Sequence, residues 1–247
     1  MRGRTGCWPL PAESRSVIPI RDINPTARFP LVTILIIGIN CAVFLYQLTL
    51  GRTGEEHFIA AHAFIPKELF LPVAADMRSA TMMTLITSLF LHGGILHIAG
   101  NMLYLWIFGN NVEDAMTRIR FVLFYLLCGI AATGSHALQN PSSAVPLIGA
   151  SGAISGVLGA YLLLYPRARV LTLMMFGFYI RTVSVPAMVV LGFWFVFQFL
   201  SVLATSSTGG GVAWGAHIGG FISGLLLTGL FKRRDVPFWG GRSYRYI

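Results

Sequence analysis

The chain has 247 residues, 55% of them hydrophobic and only 11% charged, with a mean hydropathy of +0.71. Soluble domains carry about 25% charged residues, so these values exclude a water-soluble globule and leave no room for a second soluble domain of ordinary size. The net charge of +9 is not a nucleic-acid signature, because the basic residues sit in tails and between apolar runs, where they set membrane topology.

In chain order, residues 1–30 contain Arg and Pro but no apolar core, which does not fit a signal peptide and reads as a mobile cytoplasmic tail. A membrane span needs roughly 20 apolar residues, and six candidates follow: Leu31–Leu50, Gly93–Phe108, Phe121–Leu138, Pro146–Tyr165, Val183–Ala204 and Val212–Phe231. The expected architecture is an all-α polytopic bundle of six transmembrane helices over 31–232, followed by a short cytoplasmic tail, 233–247. The loop Gly51–Leu91 is too long to be structureless and is expected to hold short interfacial helices. The apolar stretch Val170–Ile180 is too short to span and is expected at the inner surface or as an extension of a neighbouring helix. With the N-terminus inside, fifteen Lys and Arg fall on the cytoplasmic side, against Arg52, Lys67 and Arg78 outside. That bias predicts both termini in the cytoplasm; the expected location is a bacterial inner membrane.

Polar side chains inside spans are expensive and mark function. His97 and Asn101 stand four apart in the second segment, on one helix face. Ser151 lies in the fourth and His217 in the sixth, each expected about five residues from the outer end, or roughly 7–8 Å deep at 1.5 Å per residue. Gly152 and Gly156, and Gly220 and Gly224, are spaced four apart, which lets helix backbones approach and bring the two segments together. A serine is activated by a histidine in hydrogen-bond reach. None of the nine acidic residues falls in an expected span, so the arrangement predicts a Ser151–His217 dyad without a buried acid. His97, Asn101 and the Ser151 N–H are then candidate donors to an oxyanion. The same inventory excludes rivals: there is no His-Glu-x-x-His, no aspartate in a span, and the two lysines, Lys67 and Lys232, lie outside spans. The three cysteines show no disulfide or metal-ligand spacing.

The segments His92-Gly-Gly-Ile-Leu-His97-Ile-Ala-Gly-Asn101, Gly149-Ala-Ser151-Gly152 and Ala216-His217-Ile-Gly-Gly220-Phe-Ile-Ser-Gly224 together resemble the rhomboid intramembrane serine proteases, over about residues 30–232. The resemblance implies a six-helix core with a water-filled cavity, Ser151 as nucleophile, His217 as base, and His97 and Asn101 as oxyanion stabilisers. It implies substrates that are single-span membrane proteins cut in the bilayer, with no metal or organic cofactor. A non-catalytic scaffold of the same fold, binding transmembrane helices, is the alternative, but such proteins usually lack the serine or the histidine. Two departures stand out. Met83 and Thr84 occupy the loop region where many members carry a Trp-Arg pair. Ser155 stands where some members have a tyrosine that stacks on the catalytic histidine, so His217 needs other orienting contacts.

Overall fold

The computed structural model describes residues 16–72, 75–176, 179–204 and 213–240. They form nine α-helices: α1 (Leu31–Thr49), α2 (Gly51–His62), α3 (Pro66–Phe70), α4 (Ala75–Thr87), α5 (Ile95–Ala115), α6 (Arg118–Gln139), α7 (Ser151–Leu164), α8 (Ala187–Ala204) and α9 (Trp214–Phe231). Three strands, β1 (Ser16–Asp22), β2 (Arg169–Phe176) and β3 (Tyr179–Pro186), join in one antiparallel sheet of order β1-β2-β3.

The six apolar runs correspond to α1 and α5–α9. By length and composition α1, α6, α8 and α9 can each cross a membrane, α5 meets the preceding helical segment at 82°, and α7 has only 14 residues. Large apolar side chains point away from the protein, among them Leu45, Phe193, Leu203 and Leu226. All-round apolarity of this kind belongs to helices whose outer face meets lipid, while every backbone polar group is satisfied within the helix.

The centre is built on small residues. A Cβ at Gly220 would meet the carbonyl oxygen of Gly152, one at Gly224 the carbonyl of Gly156, and one at Gly159 the carbonyl of Phe221. On the other side of α7, Gly152 and Gly156 face Ala132 and Cys128 of α6. α7 and α9 therefore touch backbone to backbone, as the four-residue glycine spacing predicts. Around this contact Phe108, Phe121, Phe124, Tyr125, Leu158 and Tyr161 fill the buried core.

Several expectations are corrected. The second segment continues past Phe108, so Glu113 and Asp114 lie in the last turns of α5 and are buried. Their acidity is accommodated because Glu113 accepts hydrogen bonds from Val32 N (3.0 Å), Thr33 N (2.8 Å) and Thr33 Oγ1 (2.8 Å). It thereby caps the first turn of α1, whose own N-cap residue, Pro30, makes no side-chain cap. The N-terminal segment is ordered from Ser16, since β1 pairs with β2 and Tyr161 Oη donates to Asp22 Oδ2 at 2.9 Å; residues 1–15 lie outside the described residues. Of the stretch Val170–Ile180, residues 170–176 lie in β2 and 179–180 begin β3, so its described residues extend no helix. Val183–Pro186 completes β3, and the fifth helix begins only at Ala187. The C-terminal segment folds back: Arg233 N donates to Ala115 O at 2.9 Å and Trp239 N to Leu163 O at 3.0 Å. The long loop carries α2, α3 and α4, as expected of short helices. Within this loop Arg78 Nη2 donates to Leu71 O at 2.7 Å, tying α4 to the end of α3.

Candidate functional site

α5, α7 and α9 run parallel, with their N-terminal ends at one end of the bundle. Ser151 is the first residue of α7, not the sixth of a longer helix. Residues 146–150 stay out of the helix because they are held from the loop side. Leu147 N donates to Phe64 O at 2.7 Å and Gly149 N to Ser88 O at 2.9 Å. Gly149 has φ +119°, and a Cβ there would lie 2.8 Å from the His97 ring, so only glycine fits. Ser151 thus sits where helix N–H groups are unpaired and the helix dipole is positive.

His217 is the fourth residue of α9, which starts at Trp214. Its Nε2 lies 2.8 Å from Ser151 Oγ, and its Nδ1 lies 2.6 Å from Gln198 Oε1 of α8. An amide oxygen only accepts, so Nδ1 carries the proton and Nε2 is free to accept from the serine hydroxyl. Two indoles flank the imidazole: Trp194 with ring centroids 6.0 Å apart and planes at 33°, and Trp214 at 6.1 Å and 86°. Ser155 Oγ is turned to the backbone, donating to Ser151 O at 2.6 Å.

His97 and Asn101 line the same cavity as Ser151 and His217, a volume of about 680 Å³ that also reaches Gly149, Gly152 and Trp194. Gly93 N donates to His97 Nδ1 at 3.4 Å, which leaves Nε2 as the proton-bearing nitrogen of His97. Asn101 Nδ2 donates to His92 Nε2 at 3.0 Å. The amide's plane is thereby fixed, and its second N–H is available to the cavity. His92, fully buried, is held in turn by Gln47 of α1. Gly220 and Gly224 sit behind the site in the α7–α9 contact.

The structure therefore brings together all four polar residues singled out from the sequence, on three helices. It adds three that the sequence reading passed over. Gln198 is an amide amid an apolar run, the same signal that marked His97 and His217. His92 lies within the quoted motif but has no role assigned from spacing alone. Gln47 is a polar residue near the end of the first span. Chemically, the arrangement can deprotonate a serine hydroxyl and present donors to a developing negative charge.

The family model of the Rhomboid domain matches residues 79–234. The chain is 33% identical over 210 residues to Rhomboid protease GluP of Bacillus subtilis, covering 83% of this chain and 37% of that protein. It is 31% identical over 203 residues to Rhomboid protein 1, mitochondrial, of Saccharomyces cerevisiae, covering 77% and 50%. A third relative, RHOMBOID-like protein 6, mitochondrial, of Arabidopsis thaliana, is 32% identical over 158 residues, covering 63% and 45%. The chain thus spans between about a third and a half of the length of these relatives. With a helical membrane bundle, a domain match over most of its length and relatives of both bacterial and mitochondrial kind, the chain is an integral membrane protein that belongs to the rhomboid family.

Proposed function

We propose that the chain is an intramembrane serine endopeptidase that cleaves transmembrane protein substrates by a Ser151–His217 dyad. The observation that carries this reading is the 2.8 Å approach of His217 Nε2 to Ser151 Oγ, within a cavity also lined by His97 and Asn101. Family membership supports the coarser statement, intramembrane proteolysis.

In the proposed reaction the substrate's scissile carbonyl enters the cavity beside Ser151. His217 Nε2 takes the hydroxyl proton as Oγ attacks the carbonyl carbon. Negative charge on the carbonyl oxygen is met by the Ser151 N–H, His97 Nε2–H and the free N–H of Asn101. The resulting imidazolium donates its proton to the departing amine, and the C–N bond breaks. Water then attacks the acyl carbon with His217 again as base; the acyl C–Oγ bond breaks, and the proton on His217 passes to Ser151 Oγ as the acid product leaves.

The supported topology has α1 and α5–α9 crossing the bilayer and both termini in the cytoplasm. Arg118, Arg167, Arg169 and Arg233 stand at the C-terminal ends of α5, α7 and α9, opposite the site, in keeping with a positive inner side. The cavity then opens toward the outer half of the membrane, where single-span substrates are cut.

The test is cleavage of a generic single-span substrate by purified protein in liposomes, together with labelling by a fluorophosphonate. Ser151→Ala and His217→Ala should each abolish cleavage while the protein stays folded, and label should fall on Ser151. Full activity in Ser151→Ala would sink the mechanism. A folded wild type that neither cuts nor labels would instead favour a helix-binding scaffold.

A further inference from the structure

We propose that Gln198 is a positioning residue, the neutral counterpart of the carboxylate that completes a Ser-His-Asp triad. The inference rests on the Ser151–His217 reading above and adds a third member to it.

Gln198 lies in the middle of α8 and is only 4% exposed, although its helix neighbours Phe197 and Phe199 are about half exposed. Apart from Ser201, whose hydroxyl donates to Phe197 O, α8 is otherwise apolar. A primary amide in such a helix loses hydration and is retained without penalty only when a partner satisfies it. Its partner here is His217, at 2.6 Å from Oε1 to Nδ1. This bond does two things that an orienting carboxylate does. It selects the tautomer with the proton on Nδ1, and it fixes the ring rotation that aims Nε2 at Ser151 Oγ, 2.8 Å away. It differs in that the amide offers a dipole instead of a full charge, so the imidazolium formed during attack receives weaker stabilisation.

The other contacts of the ring do not supply this function. Trp194 and Trp214 are π neighbours without an acceptor oxygen. Ser155 of α7 is turned to the backbone. The titratable groups that face His217 are His97 of α5 and His136 of α6. Among the described residues no Asp or Glu hydrogen-bonds to it. Because Gln198 comes from α8, it also ties this peripheral helix to the dyad, so the histidine is aligned only while α8 is seated against α9.

The experiment compares the full chain with Gln198→Leu and Gln198→Glu, using cleavage of one single-span substrate in liposomes and fluorophosphonate labelling. Gln198→Leu keeps the bulk and removes the acceptor. It should lower kcat about 10-fold or more with KM little changed, and slow labelling of Ser151 in parallel, while the unfolding temperature holds. Gln198→Glu restores the acceptor as a charge. It should regain most of the lost rate, and the acid limb of its pH–rate profile should move to higher pH by about one unit, since a carboxylate favours the imidazolium. His97 and His136 are common to all three proteins and cannot produce a difference among them. Gln198→Leu with at least half the wild-type kcat would overturn the inference and leave the dyad intact, as would a Gln198→Glu acid limb identical to wild type. If Gln198→Leu fails to fold, the Gln198→Glu profile decides alone. A wild type that neither cuts nor labels overturns both readings together.

Discussion

The side-chain amide of Gln47 grips the backbone of His92 from both sides, Nε2 donating to the carbonyl oxygen at 3.1 Å and Oε1 accepting from the N–H at 3.2 Å. This pair links α1 to the loop ahead of α5, and through His92 to Asn101. Replacing Gln47 by Leu leaves two buried backbone groups unpaired, a loss of about 1–3 kcal/mol each if no water enters. A lower unfolding temperature and at least a several-fold slower cleavage are expected, although Gln47 does not line the cavity. Unchanged cleavage in Gln47→Leu would show that Asn101 needs no such chain of support.

Glu113 is expected to matter for folding. The substitution Glu113→Gln leaves one acceptor oxygen where the carboxylate serves three donors, and Glu113→Ala leaves none. Hydrogen bonds to charged groups contribute about 1.5–3 kcal/mol each, and loss of a cap typically about 1 kcal/mol. Thermal unfolding in detergent should rank wild type above Glu113→Gln above Glu113→Ala. Equal melting of the three would mean that the cap on α1 is not a source of stability.

The glycine contact gives a paired prediction. Gly224→Ala puts a methyl group against the Gly156 carbonyl and forces α7 and α9 apart. Overpacking of this kind typically costs about 1–3 kcal/mol, and here it also separates Ser151 from His217, so activity should fall further than stability. Gly192→Ala in α8 meets nothing within 4 Å and should be neutral, or stabilising by about 0.5–1 kcal/mol from helix propensity. Side-by-side melting and cleavage assays check both; equal effects at the two positions would contradict the packing argument.

Asp22 supplies a pH dependence outside the membrane. Burial pushes its carboxyl up to about 6, against the opposing hydrogen bond from Tyr161. A carboxyl raised in the folded state stabilises the fold when protonated. Its contribution is fully present below the ordinary carboxylate value near 4 and is lost as pH rises through about 6. The melting temperature of the wild type should therefore drop by a few degrees from pH 5 to pH 7.5, beyond any change in Asp22→Asn, which keeps the acceptor for Tyr161 without the charge. Parallel slopes in the two proteins would show that Asp22 is not the titrating group.

Much of the helical layout was legible because lipid demands long apolar runs, and six of them appear as α1 and α5–α9. Ser151, His97, Asn101 and His217 stood out because polar groups are rare in such runs. Gln198 and Gln47 carried the same signal but lacked a nearby motif to draw notice. The sheet was hidden for a different reason: β1 pairs with β2 across about 150 residues of sequence, and a seven-residue strand in a basic segment has no periodicity that separates it from a tail. The end of α5 was misplaced because Glu113 and Asp114 look like a loop until the backbone N–H groups of α1 supply their partners.

The close packing of α7 on α9 is made of backbone, at Gly152 against Gly220 and Gly156 against Gly224, and the Ser151 and His217 side chains add to it a single hydrogen bond at its N-terminal end. Most of the cohesion thus rests on atoms other than those of the site, within the same two helices. A descendant that lost either side chain would keep its helix pair, its polar hollow and its route for a neighbouring transmembrane segment. Under the proposed dyad, a catalyst and a silent receptor for membrane helices stand a single codon change apart.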